Sequence, residues 1–348
     1  MANVSGGDLA GAVSGAGGLG FIGVGHSTDV RWIAEQSALA RDHGRFGIGL
    51  MAWAIELRPE LLEATLAAGP AAVAVSFGDP AAHVPAIREA GALAFAQVHD
   101  GASAYRAVAA GVDALVAQGS EAGGHSGAGV ATLPLLQVVL EIGDAAGLPV
   151  LAAGGIATGR AVAGVLAMGA AGAWIGTRFA ATREALGRPA AKQRMIDADE
   201  TDTVLTSVFD IAQDIPWPPQ FPGRALRNAF AERWHGREHE LRAQRQAAQA
   251  GLEEARTAED FSEMYVYAGQ ASGLVLDVPP AAELVARLAS DAERHGRGDQ
   301  GGRQPETAAP APVHSDLEPG EVEAEVGGHG DAEDDQGEGG ERRAHQAT

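Results

Sequence analysis

The chain has 348 residues, 46 % of them hydrophobic, 5 % aromatic and none of them cysteine. The lack of cysteine excludes disulfides, thiolate metal sites and a cysteine nucleophile. The formal net charge is −21, and no basic cluster offers a footprint for a phosphate backbone, so nucleic acid is not an expected partner.

The first residues, MANVSGGDLAGAVSG, lack the basic region and long apolar core of a signal peptide. No run reaches the roughly 18 uninterrupted apolar residues of a membrane span. The sequence reads as that of a soluble cytoplasmic protein.

From residue 17 to about 180 one pattern repeats: a short apolar run, a turn with Gly, Asp or Pro, then an amphipathic Ala-rich segment. The runs predict strands over 18–25, 46–52, 72–78, 92–98, 112–118, 149–155 and 172–178. Helices are predicted over 28–43, 59–68, 80–90, 101–110, 132–146 and 158–168, after a first helix over 7–15. The strand runs are apolar rather than alternating, as strands covered on both faces should be. This alternation implies right-handed βαβ units and a parallel sheet. The expected fold is α/β, a (β/α)8 barrel whose first strand is reduced to the stub MANV; a doubly wound open sheet is the alternative.

Beyond residue 180 the pattern changes. The stretch IPWPPQFPG (215–223) holds four prolines and is no regular helix. Residues 224–255 read as one or two charged helices. Residues 293–348 carry fourteen acids against five arginines and almost no apolar residues, a composition expected to be disordered. The expected division is a barrel over 1–182, a helical appendage packing on it over 183–292, and a disordered acidic tail over 293–348.

In parallel α/β proteins ligands bind at the carboxyl ends of strands, so the chemistry is sought there. Gly154–Gly155 in AAGGIATG and Gly176–Thr177 in WIGT end the last two strands. Glycine lets backbone N–H groups approach a phosphate, and the helix opening at Thr158–Gly159 adds its positive end. His125 stands among glycines in VAQGSEAGGHSG after the fifth strand and can exchange a proton near neutral pH. Glu121 could be a second acid or base, but the preferred reading is a cap that bonds backbone N–H groups of the loop. Gln118 either bonds a ligand or merely leaves the barrel. His26 and His99 are weaker candidates for pocket lining. His235 and His239 have helical i, i+4 spacing but no third ligand, so a solvated face is expected and no metal. Trp217 is expected to pack the appendage on the barrel.

The blocks LAGAVSGAGGLGFIG, VAQGSEAGGHSG, PVLAAGGIATGRAV and GAAGAWIGTRFAATREA, in this order, resemble the nitronate monooxygenase family, once called 2-nitropropane dioxygenases. PGRALRN and WHGRE resemble that family's later segment. The resemblance implies FMN on a (β/α)8 barrel, with contacts at Gln118, Gly123, Gly154, Gly155, Trp174, Ile175, Gly176 and Thr177. His125 matches the family's catalytic histidine. The implied reaction oxidises an alkyl nitronate with O2 to a carbonyl compound and nitrite, the flavin carrying the redox chemistry. Departures from the family are the short first strand and Gly49, where many members have Asn. Two alternatives stand beside this reading. One is an FMN-dependent, NAD(P)H-using enoyl-acyl-carrier-protein reductase, which shares two of the blocks; the other is a flavin-binding protein without turnover.

Overall fold

The computed structural model describes residues 2–127 and 129–296, which belong to one compact unit. Seven parallel strands form the main sheet: β1 (Gly20–Gly23), β2 (Phe46–Met51), β3 (Ala72–Ser76), β4 (Leu93–Val98), β5 (Ala114–Gln118), β7 (Val150–Ala153) and β8 (Gly172–Trp174). They lie side by side in chain order, interrupted only by β6 (Gly124–His125), which leaves the sheet. All seven predicted strands are present, each within the range read from the sequence.

The helices on the outer side are α1 (Gly7–Gly15), α2 (Val30–Arg41), α3 (Ala52–Leu57), α4 (Glu60–Ala67), α5 (Val84–Glu89), α6 (Gly101–Ala109), α7 (Thr132–Ala146) and α8 (Gly159–Ala167). Several begin at a side chain able to satisfy the free N–H groups of a first turn. Asp29 accepts from Arg31 N–H, Asp100 and Ser103 form a reciprocal capping box, and Thr158 accepts from Ala161 N–H. The core between sheet and helices is built from small and branched residues, with Ile22, Ile33, Ile48, Leu61, Ile87, Leu115, Leu135 and Leu136 almost completely buried.

The sheet curls until its two edge strands approach. Phe21 of β1 and Trp174 of β8 touch with ring centroids 4.4 Å apart, and Phe95 of β4 stands 6.0 Å from Phe21 across the interior. The expected eighth strand is only a stub. Ser5 O accepts from Gly23 N–H at 2.9 Å, and Val4 O accepts from Leu186 N–H at 2.9 Å. The chain thus bridges the β1 edge to the segment after β8 at one point.

After β8 come α9 (Thr177–Ala180), α10 (Pro189–Ile196), β9 (Thr203–Thr206), α11 (Val208–Gln213), β10 (Gly223–Leu226), α12 (Ala229–Trp234), α13 (Glu238–Ala243), α14 (Arg245–Ala258), a 3-10 turn over Gln270–Leu274 and α15 (Ala281–Gly296). This region is not wholly helical. Gly223–Leu226, at the start of a stretch read as helix, is a strand that pairs antiparallel with β9 on one side and with β6 on the other. The last helix, α15, packs on α8 and α1. It buries Leu284 and Leu288 with Leu9 and Phe179 in a small core of their own. Residues 293–296, expected to be disordered, complete α15, because their turn continues a helix already docked through Leu284 and Leu288; the expectation for 297–348 lies outside the described residues. No helix among the described residues is long and apolar enough to cross a membrane.

Candidate active site

The loops after β5, β7 and β8 meet at the carboxyl end of the sheet. Gly154 and Gly155 hold positive φ values of 102° and 69°, backbone that glycine adopts freely. A Cβ at Gly154 would sit 2.7 Å from Thr132 Oγ1 and 3.2 Å from Gly119 O. A Cβ at Gly123 would sit 2.5 Å from Gly269 N and 2.7 Å from Thr177 Oγ1. Thr177 Oγ1 in turn accepts from Gly269 N–H at 3.0 Å. The predicted residues Gly123, Gly154, Gly155, Gly176 and Thr177 are therefore gathered into one cluster of loops, which Gly269 joins from a segment the sequence reading did not single out. The Trp174 ring packs against Phe21 and Phe95, and Ile175 packs on the apolar cores; these two can contribute backbone to a cradle.

Glu121 caps a helix, as read from the sequence. Both its carboxylate oxygens stand 3.0 Å from Thr132 N, the first residue of α7. The acid is thereby committed to structure and removed from the list of proton carriers.

His125 lies on β6, where pairing with β10 fixes its backbone opposite Gly223. Its Nε2 stands 3.0 Å from Asp210 Oδ2, and the two side chains are 8 % and 5 % exposed. The Trp217 ring lies flat on the imidazole, centroids 3.5 Å apart and planes 6° from parallel. Gln118 links two histidines: its Oε1 is 2.8 Å from His99 Nε2, and its Nε2 donates to His125 O at 3.3 Å. Burial pushes the His99 imidazole below its usual range, so Gln118 faces a neutral ring. Phe77 stacks on His99 and meets His125 edge-on. It holds φ at 58°, a conformation that costs a residue with a Cβ about 1–3 kcal/mol and is concentrated at functional sites.

Trp217 packs on the barrel as expected, against Trp53 and Phe77; it also lies on the candidate catalytic histidine, and Phe221 packs on Phe77 and His99. The prolines explain this: they hold residues 215–222 extended and out of a helix, so the aromatic side chains reach the strand ends. His26 sits beside Trp53, itself 5.0 Å from Trp217, while burial lowers the His26 pKa. His235 Nδ1 pairs with Thr206 Oγ1 at 3.1 Å.

Asp210 was missed by sequence reading. Its signal is an acid inside the run VFDIA, whose five residues are all buried. Tyr267 was also missed. Its hydroxyl stands 3.4 Å from Asp210 Oδ1, and burial beside that carboxylate raises its pKa far above the usual value.

The model of the nitronate monooxygenase family matches residues 55–291. The chain is 32 % identical over 234 residues to the (3aS,4S,5R,7aS)-5-hydroxy-7a-methyl-1-oxo-octahydro-1H-indene-4-carboxyl-CoA dehydrogenase of Mycobacterium tuberculosis, covering 67 % of this chain and 63 % of that protein. It is 31 % identical over 223 residues to the nitronate monooxygenase of Neurospora crassa, covering 60 % of this chain and 56 % of that protein. The matches thus span less than two thirds of either relative. Among solved structures, FabK from Thermotoga maritima superposes with a TM-score of 0.73 at 28 % identity, covering 86 % of this chain and 92 % of that one. The nitroalkane oxidase from Streptomyces ansochromogenes superposes with a TM-score of 0.70 at 30 % identity, covering 86 % and 95 %. The family match takes in β3 to β8 with their loops, His125, Asp210 and most of α15, so it rests on the site as well as on the scaffold: the chain belongs to the nitronate monooxygenase family.

Proposed function

We propose that the chain is an FMN-dependent oxidoreductase that oxidises alkyl nitronates with O2 to a carbonyl compound and nitrite. The observation that carries the reading is His125, buried at the strand ends between Asp210 and the Trp217 face, beside the glycine loops after β5, β7 and β8.

Two features support the fit of a flavin mononucleotide. The glycines at 123, 154 and 155 let the loops after β5 and β7 approach their neighbours more closely than a Cβ would allow, and close-packed glycine backbone is what a phosphate cradle uses. Ser126 Oγ and Trp53 Nε1 are buried without a hydrogen-bond partner, one next to His125 in sequence and one beside the ring lying on it. Buried polar groups seldom stay unpaired, so both are suited to a ligand. Gln118, Gly123, Gly154, Gly155, Gly176 and Thr177 would hold the cofactor, with backbone from Trp174 and Ile175.

When bound, the flavin supplies the redox chemistry between nitronate and O2. The protein's part is binding and proton handling. His125 exchanges a proton with the substrate or, when protonated, pairs with the anionic nitronate group. Trp217, Phe77 and Phe221 exclude water from the imidazole, which strengthens that pairing. Gln118 fixes the His125 backbone and keeps His99 in place.

The test is an absorbance spectrum of FMN-loaded protein during anaerobic addition of propionate 3-nitronate and, separately, of NADH. Bleaching by the nitronate but not by NADH is the expected result. Bleaching by NADH alone moves the assignment to an enoyl reductase. Protein that takes up no FMN overturns both.

A further inference from the structure

We propose that Asp210 is the positioning residue of His125: it accepts the Nε2–H, holds the neutral imidazole in the Nε2-protonated tautomer, and leaves Nδ1 as the atom that exchanges a proton with substrate. This rests on the reading of His125 as the proton carrier.

The geometry closes one edge of the imidazole and leaves the other open. Nε2 stands 3.0 Å from Asp210 Oδ2. Gly223 of β10 lies against the same edge: a Cβ there would sit 3.3 Å from Nε2 and 3.4 Å from Cε1. Trp217 covers a face of the ring. Nδ1 has no hydrogen-bond partner among the described residues. The backbone is held twice, by pairing with β10 and by the Gln118 donation to His125 O, so the ring has little freedom to reverse.

Asp210 is suited to this task and to little else. Its side chain is 5 % exposed, and a buried carboxylate is costly unless hydrogen-bonded. Its two oxygens face His125 Nε2 and the Tyr267 hydroxyl. No Lys or Arg pairs with it among the described residues. Besides the Tyr267 hydroxyl, the His125 Nε2–H is therefore the donor that satisfies it. A carboxylate in that position selects the tautomer, because only an N–H can be donated to it. With a neutral nitroalkane in place of its nitronate, Nδ1 takes the α-proton: the C–H bond breaks, the N–H bond forms and the electron pair stays on the substrate, giving the nitronate that the proposed reaction oxidises. The resulting imidazolium is balanced by Asp210.

The test is imidazole 15N correlation NMR on the full chain loaded with FMN, with the His125 signals identified by their loss in His125→Gln. The expected wild-type pattern is a protonated nitrogen at ε2 and an unprotonated one at δ1. Asp210→Asn, whose amide can donate to Nε2, is expected to shift the population to the Nδ1-protonated form and to lower kcat about 10²-fold or more. Asp210→Glu is expected to restore part of both. A wild-type Nδ1-protonated pattern overturns the proposal, and needs no variant to fold. So does an Asp210→Asn protein with unchanged tautomer and unchanged turnover. If His125→Gln itself turns over propionate 3-nitronate normally, the functional reading fails, while the wild-type tautomer still decides the role of Asp210.

Discussion

Replacing Gly123 by alanine tests the glycine cluster directly. The added methyl would lie 2.5 Å from Gly269 N, 2.6 Å from Ala268 C and 2.7 Å from Thr177 Oγ1. Two of these are backbone atoms, so no side-chain rotation relieves the clash. The methyl also crowds both partners of the Gly269 N–H to Thr177 Oγ1 hydrogen bond. Overpacking of this kind costs about 1–3 kcal/mol, and loss of the hydrogen bond adds about 0.5–1.5 kcal/mol. If half of that falls on the loops that hold FMN, the dissociation constant rises about threefold to fortyfold, at roughly 1.4 kcal/mol per decade. The assay is quenching of FMN fluorescence on titration with apoprotein, run beside thermal unfolding of the apoprotein. Gly164→Ala is the control. That glycine lies in α8 with nothing within 4 Å of the new Cβ, so the substitution should stabilise by about 0.5–1 kcal/mol and leave FMN binding alone. A Gly123→Ala protein that unfolds earlier yet binds FMN as tightly as wild type would refute the assignment of these loops to the cofactor. Unchanged stability and unchanged binding would refute the packing argument as well.

His125→Ala should keep FMN and lose about 10²–10⁴-fold in turnover of propionate 3-nitronate; near-normal steady-state rates would remove the residue from the mechanism. Gly176→Asp should expel FMN, since a carboxylate near the phosphate meets a like charge at close range, a repulsion of about 1–4 kcal/mol at 4 Å, and full flavin content after purification would count against the cradle. His99 is held below its usual pKa by burial, as are His26 and His83. The unfolded chain therefore binds more protons below about pH 6.5, and stability is complete above that value and lost as pH falls. The melting temperature of His99→Gln should drop less than that of wild type between about pH 7.5 and about pH 5.5, and equal drops would sink the argument. Gly159→Ala would place a methyl 2.2 Å from Asp291 Cβ and 2.8 Å from Leu288 O. Urea unfolding should show a loss of about 1–3 kcal/mol, and wild-type stability would mean that α8 and α15 do not approach this closely.

The parallel sheet was legible because each strand is a short apolar run ended by a turn, which is how a strand buried on both faces must read. Helix α3 was not, since GLMAWAIEL continues the apolar run of β2 without a break, and such a run does not distinguish strand from helix. Residues 224–226 of the strand Gly223–Leu226 read as helix because Arg, Ala and Leu are good helix formers; the strand's pairing with Thr203–Thr206 and with Gly124–His125 overrides that local preference. His125 was visible from its glycine setting, whereas its partner was not: 85 residues separate it from Asp210. Trp217 was expected on the barrel and is there, but its stacking on His125 was not legible, because proline spacing reveals an extended loop and not which ring its aromatic side chain meets.

The docking of α15 on α1 and α8 carries a consequence for biosynthesis. From Gly7 to Ala281 the ribosome adds 274 residues, which at about 5–20 residues per second takes roughly 14–55 s. β1 presents an edge with no further strand beside it, and β8 another once residue 174 is made; until α15 follows, Leu9 waits without Leu284 and Leu288 against it. Open edges beside exposed apolar surface are where nascent chains associate wrongly. The yield of soluble protein should therefore depend on chaperone supply and on the pace at which the last helix is made, while the stability of the finished fold does not.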